Sequence, residues 1–294
     1  FNALVEATPD HLDFLIASPP CQGMSIAGKN RNMEQMLLDK RNFLVFKVID
    51  FIKLKKPNFV LIENVPNFLK LVLPINNQLI NIIEILRAEF DDLYQIKADV
   101  YDACNYGVAQ RRARAIIRLY KKEAEWNEPI ILPYRTMEET IGHLPSLEAG
   151  EKSEIQWHFA RNHSKNHIEC MRYTPTGQTA FNNSIYFPKK DNGERVKAYN
   201  TTFRRMKWNE PAPTITIRND AISSQQNVHP GRLKADGTYS DARVLTPLEL
   251  MLLSSLPANW NIPNNTPELL IRKCIGECIP PLLIKQIVSK ISLK

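Results

Sequence analysis

The chain has 294 residues, 38 Lys and Arg against 31 Asp and Glu, and a formal charge of +7 near pH 7, so it has material for one large and one small domain and suits a polyanionic partner. Five cysteines without a paired framework exclude a disulfide scaffold, and no apolar run is long enough to span a bilayer. Cys274 and Cys278 have metal-like spacing, but no His or second Cys pair lies near them, and no metal is expected.

The apolar run over 13–17 predicts a strand that stops at Ser18-Pro19-Pro20-Cys21-Gln22-Gly23. Two prolines fix φ and remove two amide donors, so the strand cannot continue, and Cys21 is presented on a stiff turn at a strand's carboxyl end. The position suits a nucleophile, although a free cysteine in a turn is also compatible with a small core residue. The loop over 25–32 is polar, with Ser25, Lys29 and Arg31, and reads either as a lid or as an ordinary solvated loop. A helix is predicted over 39–51 from the stripe Leu44, Val45, Val48, Ile49 and Ile52. A second short apolar strand over 58–62 ends in Glu63-Asn64-Val65-Pro66. A helix over 76–90 follows, with Leu79, Ile82, Ile83, Leu86 and Phe90 on one face.

Strands over 93–100 and 114–120 are too close for a crossover helix and are expected to pair antiparallel. Between them lies Tyr106-Gly107-Val108-Ala109-Gln110-Arg111-Arg112-Ala113-Arg114, which without its neighbours would read as a basic turn. The pattern breaks into a charged linker at 121–124. The chain to 241 then has little periodicity and interleaves basic and aromatic residues, which fits groove and phosphate contact. Within it Trp157 and Trp208 are expected in the core, and His158, His163 and His167 lack a companion carboxylate or Cys at metal-binding spacing. The tail ends in Leu282, Leu283, Ile284, Ile287, Val288 and Ile291 at helical spacing, entered through Pro280-Pro281.

In this order, the Pro-Cys turn, Glu63-Asn64-Val65, and Gln110-x-Arg112-x-Arg114 resemble the motifs of the cytosine-5 DNA methyltransferase family. Further matches are Asp39-x-Arg41-Asn42-x-Leu44, Arg243-x-Leu245-Thr246-Pro247-x-Glu249, and Gly276-Glu277-Cys278-Ile279-Pro280-Pro281, where the family more commonly carries Asn in place of Glu277. The resemblance implies an α/β fold with the AdoMet-dependent methyltransferase (Rossmann-like) sheet plus a smaller target recognition domain. Its divisions would be catalytic over 1–122, target recognition over 123–241, and a segment returning to the catalytic domain over 242–294.

The activity implied is transfer of a methyl group from S-adenosyl-L-methionine (AdoMet) to carbon 5 of a cytosine flipped from duplex DNA, in a restriction-modification system and in the cytoplasm. Cys21 would add to carbon 6, Glu63 would face ring nitrogen 3 protonated or hydrogen-bonding, Asn64 would orient it, and Arg112 and Arg114 would supply cationic stabilisation. Pro19, Leu44 and Glu277 would contact the cofactor. Gln22, Ser25, Lys29, Arg31, Gln110, Arg204, Arg205 and Thr214 would contact DNA. The family's Gly-rich cofactor loop has no counterpart before Phe1, so the N-terminal half of the sheet is expected to be absent. Either truncation, the simpler account, or a separate subunit supplying that segment would explain this. A non-catalytic DNA-binding remnant and an RNA-methylating relative are the competing readings.

Overall fold

The structure, a computed structural model, describes residues 1–20, 40–75, 78–190 and 192–293. Cys21, Gln22, Ser25, Lys29 and Arg31 lie outside the described residues. The chain forms two compact units, one made of Phe1–Asp102, Ala113–Pro129 and Ile287–Lys294, the other of Ala103–Arg112 and Ile130–Gln286. These units do not follow the expected functional divisions at 122/123 and 241/242.

The first unit is built on a four-stranded sheet in the order β1 (Phe14–Ala17), β2 (Phe59–Asn64), β6 (Ala113–Lys121), β5 (Tyr94–Asp102). β1 and β2 run parallel, with Ala17 opposite Ile62. β6 pairs antiparallel with both β2 and β5, the arrangement expected from the short connection between β5 and β6. All six residues of β2 are buried, which is why the strand reads as an unbroken apolar run up to its polar end.

Helix α1 (Asn2–Ala7) precedes β1, and helix α2 (Val45–Lys55) returns the chain from β1 to β2. It buries Val45, Ile49 and Ile52 in a core with Val60, Ile62, Ile117 and Leu119 of the sheet and Ile82, Ile85, Leu86 and Phe90 of α3 (Ile82–Phe90). It ends at Lys56, whose left-handed backbone (φ 44°) donates its N–H to Ile52 O, and Pro57 follows.

Three expectations are corrected here. The helix predicted over 76–90 starts only at Ile82, because residues 78–81 belong to a hairpin of β3 (Val72–Ile75) and β4 (Gln78–Asn81). Asn81 caps the helix by accepting from Ile83 N at 2.9 Å, and Leu79, assigned to the apolar stripe, is 54% exposed. The charged stretch at 121–124 is a tight turn rather than a linker, since β7 (Ala124–Trp126) pairs with β8 (Ile291–Leu293). Ile291 therefore lies in a strand, and the closing helix stops at Val288. Trp126 is buried there among Phe14, Phe59 and Tyr120, its Nε1 donating to Ile287 O at 2.8 Å.

The second unit has little regular structure. Its helices α4 (Met137–Ile141), α5 (Lys165–Arg172), α6 (Pro247–Leu253) and α7 (Glu268–Glu277) stand among turns and isolated bridges. One core joins Met137, Ile141, Met206, Ile215, Leu250, Met251, Ile271 and Ile275, with Trp157 and Trp208 packed against it as expected. A second gathers Cys170, Met171, Phe203, Ile222, Val228 and Val244. At α7 the packing is close enough to demand glycine: a Cβ on Gly276 would meet Thr216 O at 2.4 Å.

Candidate active site

β1 and β2 run in register, so the turn that follows Ala17 and the polar end of β2 come to the same edge of the sheet. Glu63 and Asn64 are both buried there. Asn64 uses its side chain on the backbone: Nδ2 donates to Pro19 O at 2.8 Å, and Oδ1 accepts from Val65 N at 2.9 Å. It ties down the proline turn two residues before Cys21, a different task from the expected orientation of Glu63. Glu63 is instead met by Arg114 at the start of β6, whose Nε lies 2.8 Å from Glu63 Oε1, with both side chains largely buried. The register explains the pair, because Glu63 opposes Ile116 and Asn64 opposes Ala115, leaving Arg114 one step beyond the strand end. A guanidinium at this distance fixes the carboxyl and places positive charge beside it.

Gln110 and Arg112 belong to the second unit and are committed inside it. Gln110 Nε2 donates to Ser254 Oγ at 3.0 Å, and its Oε1 accepts from Ile215 N at 3.1 Å. Arg112 donates to Ile215 O at 2.7 Å and to Gly276 O at 2.9 Å, joining the 215 segment to the end of α7. These contacts correct the assignment of Gln110 to DNA and make Arg112 a clamp on backbone carbonyls. The residue between them, Arg111, is exposed, and among the described residues its backbone N–H donates to Ala212 O and its C=O accepts from Thr214 Oγ1. Sequence reasoning passed over it because the Gln-x-Arg-x-Arg spacing skips it. The alternation of an extended segment, which turns neighbours to opposite sides, was the available signal.

Arg205 is also corrected. It is 1% exposed, and its guanidinium donates to Met171 O, His229 O and Asp241 O, so its charged end is committed to backbone carbonyls. Arg204 and Thr214 are more open. Arg204 lines a cleft of about 420 Å³ with Arg111, Lys207 and Gln226 while donating to Asn200 O and Gly177 O. Thr214 is exposed and donates to Arg111 O at 2.7 Å.

Behind Arg205 lies a buried ionic centre that sequence reasoning did not find. Arg243 donates to Glu249 Oε2 at 2.8 Å and to Asp241 Oδ1 at 2.7 Å, with all three side chains buried. Burial opposes charge on both carboxylates. On Glu249, Arg243 and His229 outweigh it and hold the pKa down to about 2; on Asp241, His229 and Arg243 also outweigh it and lower the pKa. His229 stands 3.6 Å from Glu249 and 3.7 Å from Asp241, and burial first, then Arg243, pushes it down to about 4. Glu249 also closes a capping box with Thr246 at the start of α6, which gives the Arg243-x-Leu245-Thr246-Pro247-x-Glu249 motif a structural meaning. His158 is fully buried and engaged by Thr246 Oγ1 and Pro145 O.

Of the expected cofactor residues, Pro19 and Leu44 belong to the first unit and Glu277 to the second. Pro19 is buried with its carbonyl engaged by Asn64, Leu44 is 44% exposed and purely apolar, and Glu277 is exposed in the second unit. Along β1, which has no further strand beside it among the described residues, runs a groove of about 510 Å³ lined by Leu4, Leu12, Phe14, Ile16 and Val48. Among the described residues its polar lining is Thr8 and Lys47.

Comparison with known proteins gives the geometry its context. The chain is 57% identical over 292 residues to the type II methyltransferase M1.HgaI of Avibacterium volantium, covering 99% of this chain and 82% of that protein. It is 28% identical over 295 residues to M1.HphI of Haemophilus parahaemolyticus, covering 99% and 71%. Among solved structures, a prophage-encoded candidate DNA modification methyltransferase of E. coli superposes with a TM-score of 0.66 at 18% identity, covering 98% of this chain and 80% of that one. The methyltransferase EhMeth of Entamoeba histolytica gives 0.59 at 12% identity, covering 95% and 76%. Both solved structures share the fold of an α/β methyltransferase sheet. The family model described as C-5 cytosine-specific DNA methylase matches residues 4–293, and the chain belongs to that family.

Proposed function

We propose that this DNA cytosine C-5 methyltransferase modifies a flipped cytosine in a specific duplex sequence, in the cytoplasm, as the protective partner of a type II restriction enzyme, with AdoMet as methyl donor. The observation that supports it best is the Glu63–Arg114 ion pair beside Asn64, which holds the turn leading to Cys21. Cys21 acts as the nucleophile at carbon 6 of the base. Glu63 faces ring nitrogen 3 and relieves the negative charge that develops as the thiolate adds. Arg114 keeps that carboxyl in position and adds positive charge at the same ring edge. Carbon 5, now nucleophilic, accepts the methyl group, and loss of its proton with elimination of Cys21 restores the aromatic ring.

Arg112 and Asn64 act by positioning in this reading, and Arg111, Arg204 and Thr214 supply contacts to the duplex. The type II assignment follows the 57% identical relative.

Bisulfite sequencing of DNA treated with the protein and AdoMet tests the proposal. Protected cytosines should appear in one fixed sequence context, and Glu63→Gln should slow their appearance roughly 100- to 10,000-fold, the scale of a positioned acid. Methylation of an exocyclic amine, of RNA in preference to duplex DNA, or a Glu63→Gln rate within a few-fold of wild type would contradict it.

A further inference from the structure

After α5 the chain makes an exposed cleft of about 450 Å³ lined by Tyr173, Gln178, Asn182, Ile185 and Tyr186. The tyrosine rings stack with centroids 3.9 Å apart and planes 12° apart, and Ile185 is 66% exposed. This surface is held stiffly. Asn183 Nδ2 donates to Cys170 O, Thr174 Oγ1 and Tyr186 O, while Arg195 donates to Phe181 O and Asn183 O and lies 3.6 Å over the Phe187 ring. A clustered, exposed set of aromatic, aliphatic and amide groups on a fixed loop marks a contact surface.

The two amides determine what it can contact. Asn182 Nδ2 donates to Gln178 Oε1 at 3.3 Å, and both residues are exposed, so Gln178 Nε2 can still donate and Asn182 Oδ1 can still accept. Exchanging O and N in both amides keeps one donor and one acceptor. Adenine shows the complement in the major groove, an N7 acceptor beside an N6 amino donor, and its thymine partner adds a methyl group. Guanine shows two acceptors, one of which would face Asn182 Oδ1.

We propose that this cleft reads an A·T base pair of the recognised duplex through the major groove, Gln178 and Asn182 taking the adenine edge and Ile185 the thymine methyl. The proposal rests on the DNA methyltransferase reading above. The stacked tyrosines line the same cleft as the two exposed amides and offer a flat apolar face beside them. Lys189, exposed and 4.9 Å from the Phe187 ring, suits a flanking phosphate, whereas Lys190 is paired with Glu194 at 3.0 Å.

Binding selection from a randomised duplex library, read by sequencing, tests it. Wild type should enrich a motif containing at least one A·T pair. Gln178→Ala and Asn182→Ala should each weaken adenine preference at one position about tenfold, with unchanged affinity for unrelated DNA. Gln178→Glu should move that preference towards cytosine, whose amino group is a donor. Replacing the opposing thymine by uracil should weaken wild type but not Ile185→Ala. Variants that enrich the wild-type motif unchanged, or lose affinity equally for all sequences, overturn the proposal. If wild type still methylates cytosine while the variants keep its motif, only this inference falls; if wild type neither methylates cytosine nor enriches a sequence, the functional reading falls with it.

Discussion

At the centre of the sheet unit, β2 is buried along its whole length among Ile49, Ile52, Leu86, Ile117 and Leu119, so its core is apolar and graded. At the centre of the loop-rich unit stands Arg243, paired with Asp241 and Glu249, while Arg205 closes backbone carbonyls around them. An apolar core loses stability in proportion to the atoms removed. A buried ionic centre, by contrast, leaves uncompensated charge as soon as one partner goes. The loop-rich unit has few ladders to fix its turns, and this centre does so, linking residues 146, 147, 205, 229, 243 and 249 to Asp241 or to one another.

Arg243→Met breaks the comparison most sharply: urea unfolding should show a loss of about 3–5 kcal/mol, because Asp241 and Glu249 remain buried without their cation. Leu86→Ala in the sheet unit should cost about 2–5 kcal/mol, in proportion to the atoms removed. If Arg243→Met unfolds no more readily than wild type, the centre is not what holds its unit.

The pH dependence should come next. The unfolded chain takes up a proton on His229 below about pH 6.5, whereas folded His229, at about 4, does so only in stronger acid. Its contribution is therefore fully present above pH 6.5 and lost as the pH falls to 4, a total of about 3 kcal/mol. His163, also held at about 4 by burial and Arg161, shares that window, and Glu249 extends the loss towards its own value of about 2. Melting temperature measured from pH 7 to pH 4 should fall less steeply in His229→Gln than in wild type. Equal slopes would refute the assignment.

The smallest effect belongs to the exposed pair Lys53–Glu89 of the sheet unit. Lys53→Ala should change stability by under about 1 kcal/mol and lose even that in high salt.

The contrast also explains what could be read from the sequence. β2 was legible because a strand buried on both faces has to be apolar throughout, and the polar pair that stops it, Glu63 and Asn64, stands out for that reason. The task of Asn64 was not legible, since its partner Pro19 O is 45 residues away. The helix over 76–90 was overcalled because Leu79 fits both a helical stripe and a hairpin. Arg205 was misread because a basic residue among aromatics looks the same whether it meets phosphate or carbonyls. Arg243 and Glu249 stand in one short motif, but His229 and Asp241 follow no period with them, so nothing local announced that the four meet. Cys21 carried the clearest chemical signal in the chain, yet it lies outside the described residues.

Covalent trapping on duplex DNA containing 5-fluorocytosine tests the central claim most directly, because the fluorine blocks the final elimination and leaves the nucleophile attached to carbon 6. Wild type with AdoMet should give a denaturant-resistant protein–DNA adduct through a peptide containing Cys21, and Cys21→Ala should give none while still binding DNA. An adduct that survives Cys21→Ala, or that maps to another residue, would contradict the account.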